Sequence, residues 1–145
     1  MSATGRPERE HRSAQREGST MNPPGALVTP AYCQLMARYN RWMNERLYAL
    51  CAEMDDAERK RDRGAFFGSI HGTLNHLLWG DRMWLGRFTG EPCTEPAFGA
   101  AMFDDFVRLV RERDLTDTAV LDWAGRVTPE WLAGTLVYAS RATTP

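Results

Sequence analysis

The 145-residue chain predicts an all-α helical bundle. Three observations carry that prediction. Apolar residues recur at steps of three and four over three long stretches, which is helical spacing. Helix punctuation brackets those stretches, with Thr-Pro at starts and Gly at stops. The composition, 43% hydrophobic and 10% aromatic, is rich enough for one domain with a buried core.

Residues 1 to 20, MSATGRPEREHRSAQREGST, hold no large aliphatic or aromatic side chain after Met1. Such a stretch cannot offset its ordering entropy and is expected to be a disordered extension, with His11 solvated in it. Met21 follows at once and is a candidate natural start, so the domain is read as 21 to 145.

The first helix is expected to begin at Thr29 as N-cap with Pro30 in its first turn. Tyr32, Leu35, Met36, Tyr39, Trp42, Met43, Leu47, Leu50, Cys51 and Met54 follow on one helical face, so the helix should end near Met54. DDAERKRDRG is then a charged, solvated connector with room for a short helix, closed by Gly64. The second helix runs from about Phe66 or Ser69 to Phe88, with Gly90 as its stop. GEPCTEPAFG, with two prolines and two glycines, is a loop. The third helix spans roughly Phe98 to Ala124 on Phe103, Phe106, Val107, Val110, Val120 and Leu121, with a kink expected in the polar RERDLTD. TPEWL reads as a helical turn capped by Thr128, and GTLVYAS as an extended segment. A helical bundle usually closes with a fourth long helix, and no stretch remains to form one.

The net charge is -1, which argues against non-specific nucleic-acid or acidic-membrane binding. No run approaches the length of a membrane span, and the N-terminus lacks the apolar region of a secretory signal. Cys33, Cys51 and Cys93 form no CxxC and are odd in number, which fits reduced thiols in a cytoplasm. No phosphate-binding loop, nucleophile elbow or dinucleotide fingerprint occurs.

SIHGTLNHLLWGDRMWL, residues 69 to 85, holds the remaining two histidines. On a wheel of about 100° per residue with Ile70 at zero, Leu74, Leu77, Leu78, Asp81, Trp84, Leu85 and Phe88 cluster as the core stripe. His71, Asn75, Arg82 and Gly86 fall together on a face read as wet. His76 falls at about 240°, near Gly72, Trp79, Gly80 and Met83, a second face that invites close approach. The helix should therefore be sandwiched, with His76 inward and His71 outward. Five positions apart, the two cannot chelate one ion, and an inward histidine alone is more often a satisfied buried donor. Asn40 and Asn44 share a face one turn apart and either line a site or tie helices together.

YNRWMNERLY (39–48), RDRGAFFGSIHGTLNHLLWGDRMWLGRFTG (61–90) and the Arg113/Asp117 region resemble the DinB-like (DinB/YfiT) family over about Met21 to Ser140. The resemblance implies an up-down-down-up four-helix bundle. It also implies a divalent metal, nickel or zinc, held by three histidines, with His76 as the helix-two ligand. The other two would come from an HxxxH pair on a fourth helix. GTLVYASRATTP resembles the family segment just before that helix, and no HxxxH occurs in this chain. Two ligands and one wall of the bundle are therefore expected to be missing here. Asp81, Asn40, Asn44 and Trp79 are carried as residues that line the site or support its ligand. The family's activities imply a metal-dependent thiol transferase or hydrolase using a low-molecular-weight thiol. The alternative expectation is a non-catalytic helical module that dimerises, or takes another partner, through its exposed apolar groove.

Overall fold

The computed structural model describes residues 28–91 and 99–138, and these form five helices. They are α1 (Pro30–Ala52), α2 (Asp56–Lys60), α3 (Ile70–Thr89), α4 (Phe106–Arg126) and α5 (Pro129–Leu132). The tail with His11, the loop around Cys93 and the terminal RATTP lie outside the described residues.

The helix starts follow the capping chemistry of the sequence. Thr29 accepts from the Tyr32 amide at 3.1 Å, with Pro30 behind it. Ser69 accepts from the Gly72 amide at 3.0 Å and opens α3. Gly90, at φ 75°, takes the left-handed conformation that ends it. Thr128 caps α5 by accepting from the Trp131 amide.

α4 is the central helix. It packs against both α1 and α3, whereas α1 and α3 meet only marginally. The packing has three levels. At one end Tyr48 and Cys51 of α1, Leu74 and Leu78 of α3, and Phe106 and Leu109 of α4 form the apolar core. A polar layer occupies the middle. At the other end Phe88, Trp123 and Trp131 stack, with ring centroids 4.9 to 5.9 Å apart. This order of levels makes α3 and α4 parallel to each other and α1 antiparallel to both.

Several expectations are corrected. The third long helix does not begin near Phe98. Residues 99–105 are irregular, and α4 starts at Phe106 with Asp105 as N-cap accepting from the Arg108 amide at 2.7 Å. The reason is α3: Asn75 Oδ1 accepts from the amides of Met102 and Phe103 at 3.0 and 2.9 Å, so those amides are not free for a helix. No kink interrupts RERDLTD, because its Arg113 and Asp117 are buried on the inner face of α4. The connector forms α2, and its Arg59 is not solvated. Arg59 donates to the carbonyls of Cys51 and Met54 at the open end of α1, and its guanidinium lies 4.1 Å from the Phe106 ring centre. Residues 135–138 of GTLVYAS have no regular structure, and Tyr138 packs edge-on against Trp84 at 5.5 Å.

The largest correction concerns α1. Most of its expected apolar face points outward, Cys51 alone of it being buried: Leu35 is 55% exposed, Tyr39 51%, Trp42 49% and Leu50 65%. The face packed on α4 is instead the narrower one with Ala37, Asn44, Tyr48 and Cys51. α3 is likewise not sandwiched, since Leu77 and Trp84 of its predicted core stripe are exposed.

Candidate functional site

Gly72, in the first turn of α3, shapes the surroundings of His76. A side chain there would run into the Phe67 carbonyl, so only glycine lets the 65–69 loop lie against the helix. That loop is closed by Gly68 N donating to Ala65 O and Arg63 N donating to Gly68 O, each at 2.8 Å. It lays the Phe67 ring on the His76 imidazole, 3.8 Å between centroids and 20° between planes. Trp79, one turn on, is near-parallel to His76 at 5.7 Å. His76 is half-buried on the wall of a cleft of about 300 Å³, beside Phe66, Phe67, Asn75 and Trp79. Among the described residues no carboxylate, thiol or second imidazole lines that cleft.

His71 is not outward. It is 4% exposed, and its Nε2 lies 2.8 Å from the Phe103 carbonyl oxygen. Asn75, on the same supposedly wet face, is 2% exposed and also donates to the Phe103 carbonyl, at 3.0 Å. Polar residues cover this face because what packs on it is irregular backbone, whose amides and carbonyls need partners.

The structure gathers Asn40, Asn44 and Asp81 elsewhere, in the middle layer. Arg113 of α4 reaches Asp81 Oδ2 at 2.8 Å and Asp117 Oδ1 at 2.7 Å. Asn44 Nδ2 donates to Asp117 Oδ1 at 2.9 Å, and Asn40 Nδ2 lies 3.5 Å from both carboxylates. Burial raises the Asp117 pKa, against the lowering by Arg113 and Asn44. Burial also pushes the Tyr48 phenol, beside this layer, far above its usual value. Arg82 extends the polar contacts by donating to Thr116 Oγ1 at 3.0 Å.

His76 and Trp79 are thus kept apart from Asp81, Asn40 and Asn44. Arg113 and Asp117 were legible only through the family resemblance. Their own signal is that they fall on the α4 face that carries Phe106, Leu109, Val120 and Ala124, so RERDLTD is not a solvated stretch. For a divalent ion His76 supplies one donor, Asp81 is engaged by Arg113, and Cys51 lies in the apolar core. Among the described residues no group of three or more His, Cys, Asp or Glu converges on a point that could hold a metal. The described donor set therefore does not fit a closed metal site.

A second feature is open. Between α1 and α3, above α4, runs a groove with a cavity of about 280 Å³ lined by Tyr32, Met36, Asn40, Asp81, Trp84 and Phe88. Its α1 side carries Tyr32, Met36 and Asn40, at the edge of the exposed apolar ridge. Its α3 side carries Asp81, Trp84, Leu85 and Phe88. Among the described residues no helix is long and apolar enough to cross a membrane.

A model of the DinB family matches residues 26–133, from the start of α1 through α5. No curated protein and no solved structure matches the chain.

Proposed function

The chain belongs to the DinB family, and from that premise we propose that it acts as a helical binding module whose groove between α1 and α3 receives another polypeptide surface. The observation that carries this reading is the ridge of half-exposed Tyr32, Leu35, Met36, Tyr39, Trp42, Met43 and Leu50 along the whole of α1. A continuous apolar strip of that length is more than a monomer usually leaves in water. The buried middle layer then serves as a rigid floor that fixes the spacing of the two walls. Fluorescence of an apolar dye at submicromolar protein tests it. Uptake by the wild type that falls sharply in Leu35→Ser/Trp42→Ser supports the reading. No uptake, or equal uptake by both proteins, overturns it.

A second reading keeps the chemistry implied by the family, a metal-dependent thiol transferase or hydrolase working with a low-molecular-weight thiol. The observation favouring it is His76 itself, held by aromatic stacking on the wall of a cleft. It requires metal donors beyond those of the described residues. Assay of bound nickel and zinc in the purified protein and in His76→Ala decides it. Stoichiometric metal that is lost in the variant supports it, and only traces in both overturn it.

A further inference from the structure

We propose that a cleft between α1 and α4 binds an uncharged small molecule that presents a carbonyl or hydroxyl oxygen on a short aliphatic body. This cleft shares no lining residue with the groove or with the cleft of His76, so it goes beyond both readings above and depends on neither.

The antiparallel register of the two helices builds its floor. Asn44 of α1 pairs with Asp117 of α4 at 2.9 Å. One turn further along α1, and one turn back along α4, Tyr48 comes opposite Arg113. Burial raises the Tyr48 pKa and the Arg113 charge is the foremost influence against it, so the guanidinium lies near the phenol. Tyr48 is 5% exposed and Arg113 3%, and both line a cavity of about 550 Å³.

The two residues leave hydrogen-bonding capacity unused. Among the described residues the Tyr48 hydroxyl has no hydrogen-bond partner, and neither has Arg113 Nε. The terminal nitrogens of the same guanidinium are taken by Asp81 and Asp117. The Tyr48 ring is stacked on Phe106, with centroids 6.2 Å apart, so its hydroxyl is held at the cavity floor. Buried polar groups are nearly always partnered. Two without a partner at the floor of one cavity mark where a ligand atom is received.

Donor count and charge choose the class of that ligand. Arg113 Nε–H can only donate, and the Tyr48 hydroxyl can donate as well, so their complement is an acceptor oxygen. An ammonium carries donors alone and does not supply it. A carboxylate would be a third anion around Arg113, whose charge Asp81 and Asp117 already match, and would be desolvated without a counter-ion. An uncharged oxygen meets both requirements. Above the floor the walls are apolar, with Ala49 and Ala52 on α1 and Val107 and Val110 on α4, which suits an aliphatic body. Small-molecule sites combine such walls with a few placed polar groups, in volumes of about 300–1,000 Å³.

Titration of isotope-labelled protein with hexanamide, hexanoate and hexylammonium, followed by backbone amide chemical shifts, tests this on the wild type, Tyr48→Phe and Val107→Asp. Tyr48→Phe removes only the unpartnered hydroxyl, so its urea midpoint should equal or exceed that of the wild type. Val107 is 76% exposed in the first turn of α4, where an aspartate suits the helix N-terminus, so Val107→Asp folds as well. The expected result is saturable hexanamide shifts at Ala49, Ala52, Val107 and Val110. Hexanoate and hexylammonium should bind at least about tenfold more weakly than hexanamide. Either substitution should weaken hexanamide at least about fivefold, through the lost hydrogen bond or the lost apolar wall. Absence of saturable hexanamide shifts overturns the site. Hexanamide binding that is indifferent to Tyr48→Phe overturns the role of the floor, and a charged analogue that binds as tightly overturns the ligand class. A urea midpoint lowered in Tyr48→Phe shows that the hydroxyl is already satisfied in the free protein, and that too overturns the proposal.

Discussion

Arg113 and Asp117, one turn apart on α4, form an ion pair at 2.7 Å with side chains only 4% and 3% exposed. The same guanidinium holds Asp81 of α3 at 2.8 Å, so one cation ties two helices and is itself shut off from water. Removing one partner from such a group strands the others. Arg113→Met is expected to cost about 3–5 kcal/mol, because Asp117 remains buried without its counter-ion. Arg113→Met/Asp117→Leu should recover most of that loss. Urea unfolding of the three proteins measures it, and a single variant as stable as the wild type would remove the layer's structural role.

Asp117 also sets a pH dependence. Burial raises its pKa in the folded state above the unfolded value. Between those two values the folded state binds more protons than the unfolded one, so this residue's contribution to stability falls as pH rises through the window. The window opens at the ordinary aspartate range and extends upward. Asp117→Asn should lack that fall, although it also weakens the pairing with Arg113. The pH dependence of the urea midpoint, wild type minus variant, isolates the effect from that of other carboxylates. Parallel profiles would contradict it.

Asn75 is the tie between α3 and the 99–105 segment. It accepts from two amides and donates to the carbonyls of His71 and Phe103. Asn75→Ala takes from the Met102 and Phe103 amides their acceptor in a partly buried place. A loss of about 2–3 kcal/mol is expected. Hydrogen exchange at the Met102 and Phe103 amides should accelerate more than exchange in the middle of α4. Uniform acceleration would show that the segment is held by something else.

Two glycines of α3 should respond in opposite directions to alanine. Gly72→Ala drives a methyl group into the Phe67 carbonyl and should destabilise by about 1–3 kcal/mol, loosening the stack of Phe67 on His76. Gly80→Ala meets open space and should stabilise the isolated chain by about 1 kcal/mol through helix propensity. Thermal unfolding at low protein concentration compares them. A loss at both positions would mean that Gly80 has a contact within its own chain.

Much of the fold was legible in local chemistry. Thr29 and Thr128 cap the helices they were expected to cap, Ser69, the later of two expected starts, caps α3, and Gly90 ends it. Those contacts span three or four residues, so the sequence contains both partners. The start of α4 was not legible, because the amides that would have extended it are taken by Asn75, far away in the chain. His71 and Asn75 were misplaced for a related reason. A helical wheel sorts side chains by polarity, and the backbone of an irregular segment recruits polar partners into the interior.

The sequence by itself determined an all-α chain of the DinB family, its helix boundaries at capped ends, and the separation of His76 from His71 on α3. Tertiary structure alone decided which faces are covered. It buried Arg113 and Asp117 in a polar layer, drew Asn40, Asn44 and Asp81 to them and away from His76, and left the apolar ridge of α1 in water. The physical reason is that periodicity records where a helix is apolar, whereas burial depends on which surface arrives to pack there. In this chain α4 chose the face of Ala37, Asn44, Tyr48 and Cys51.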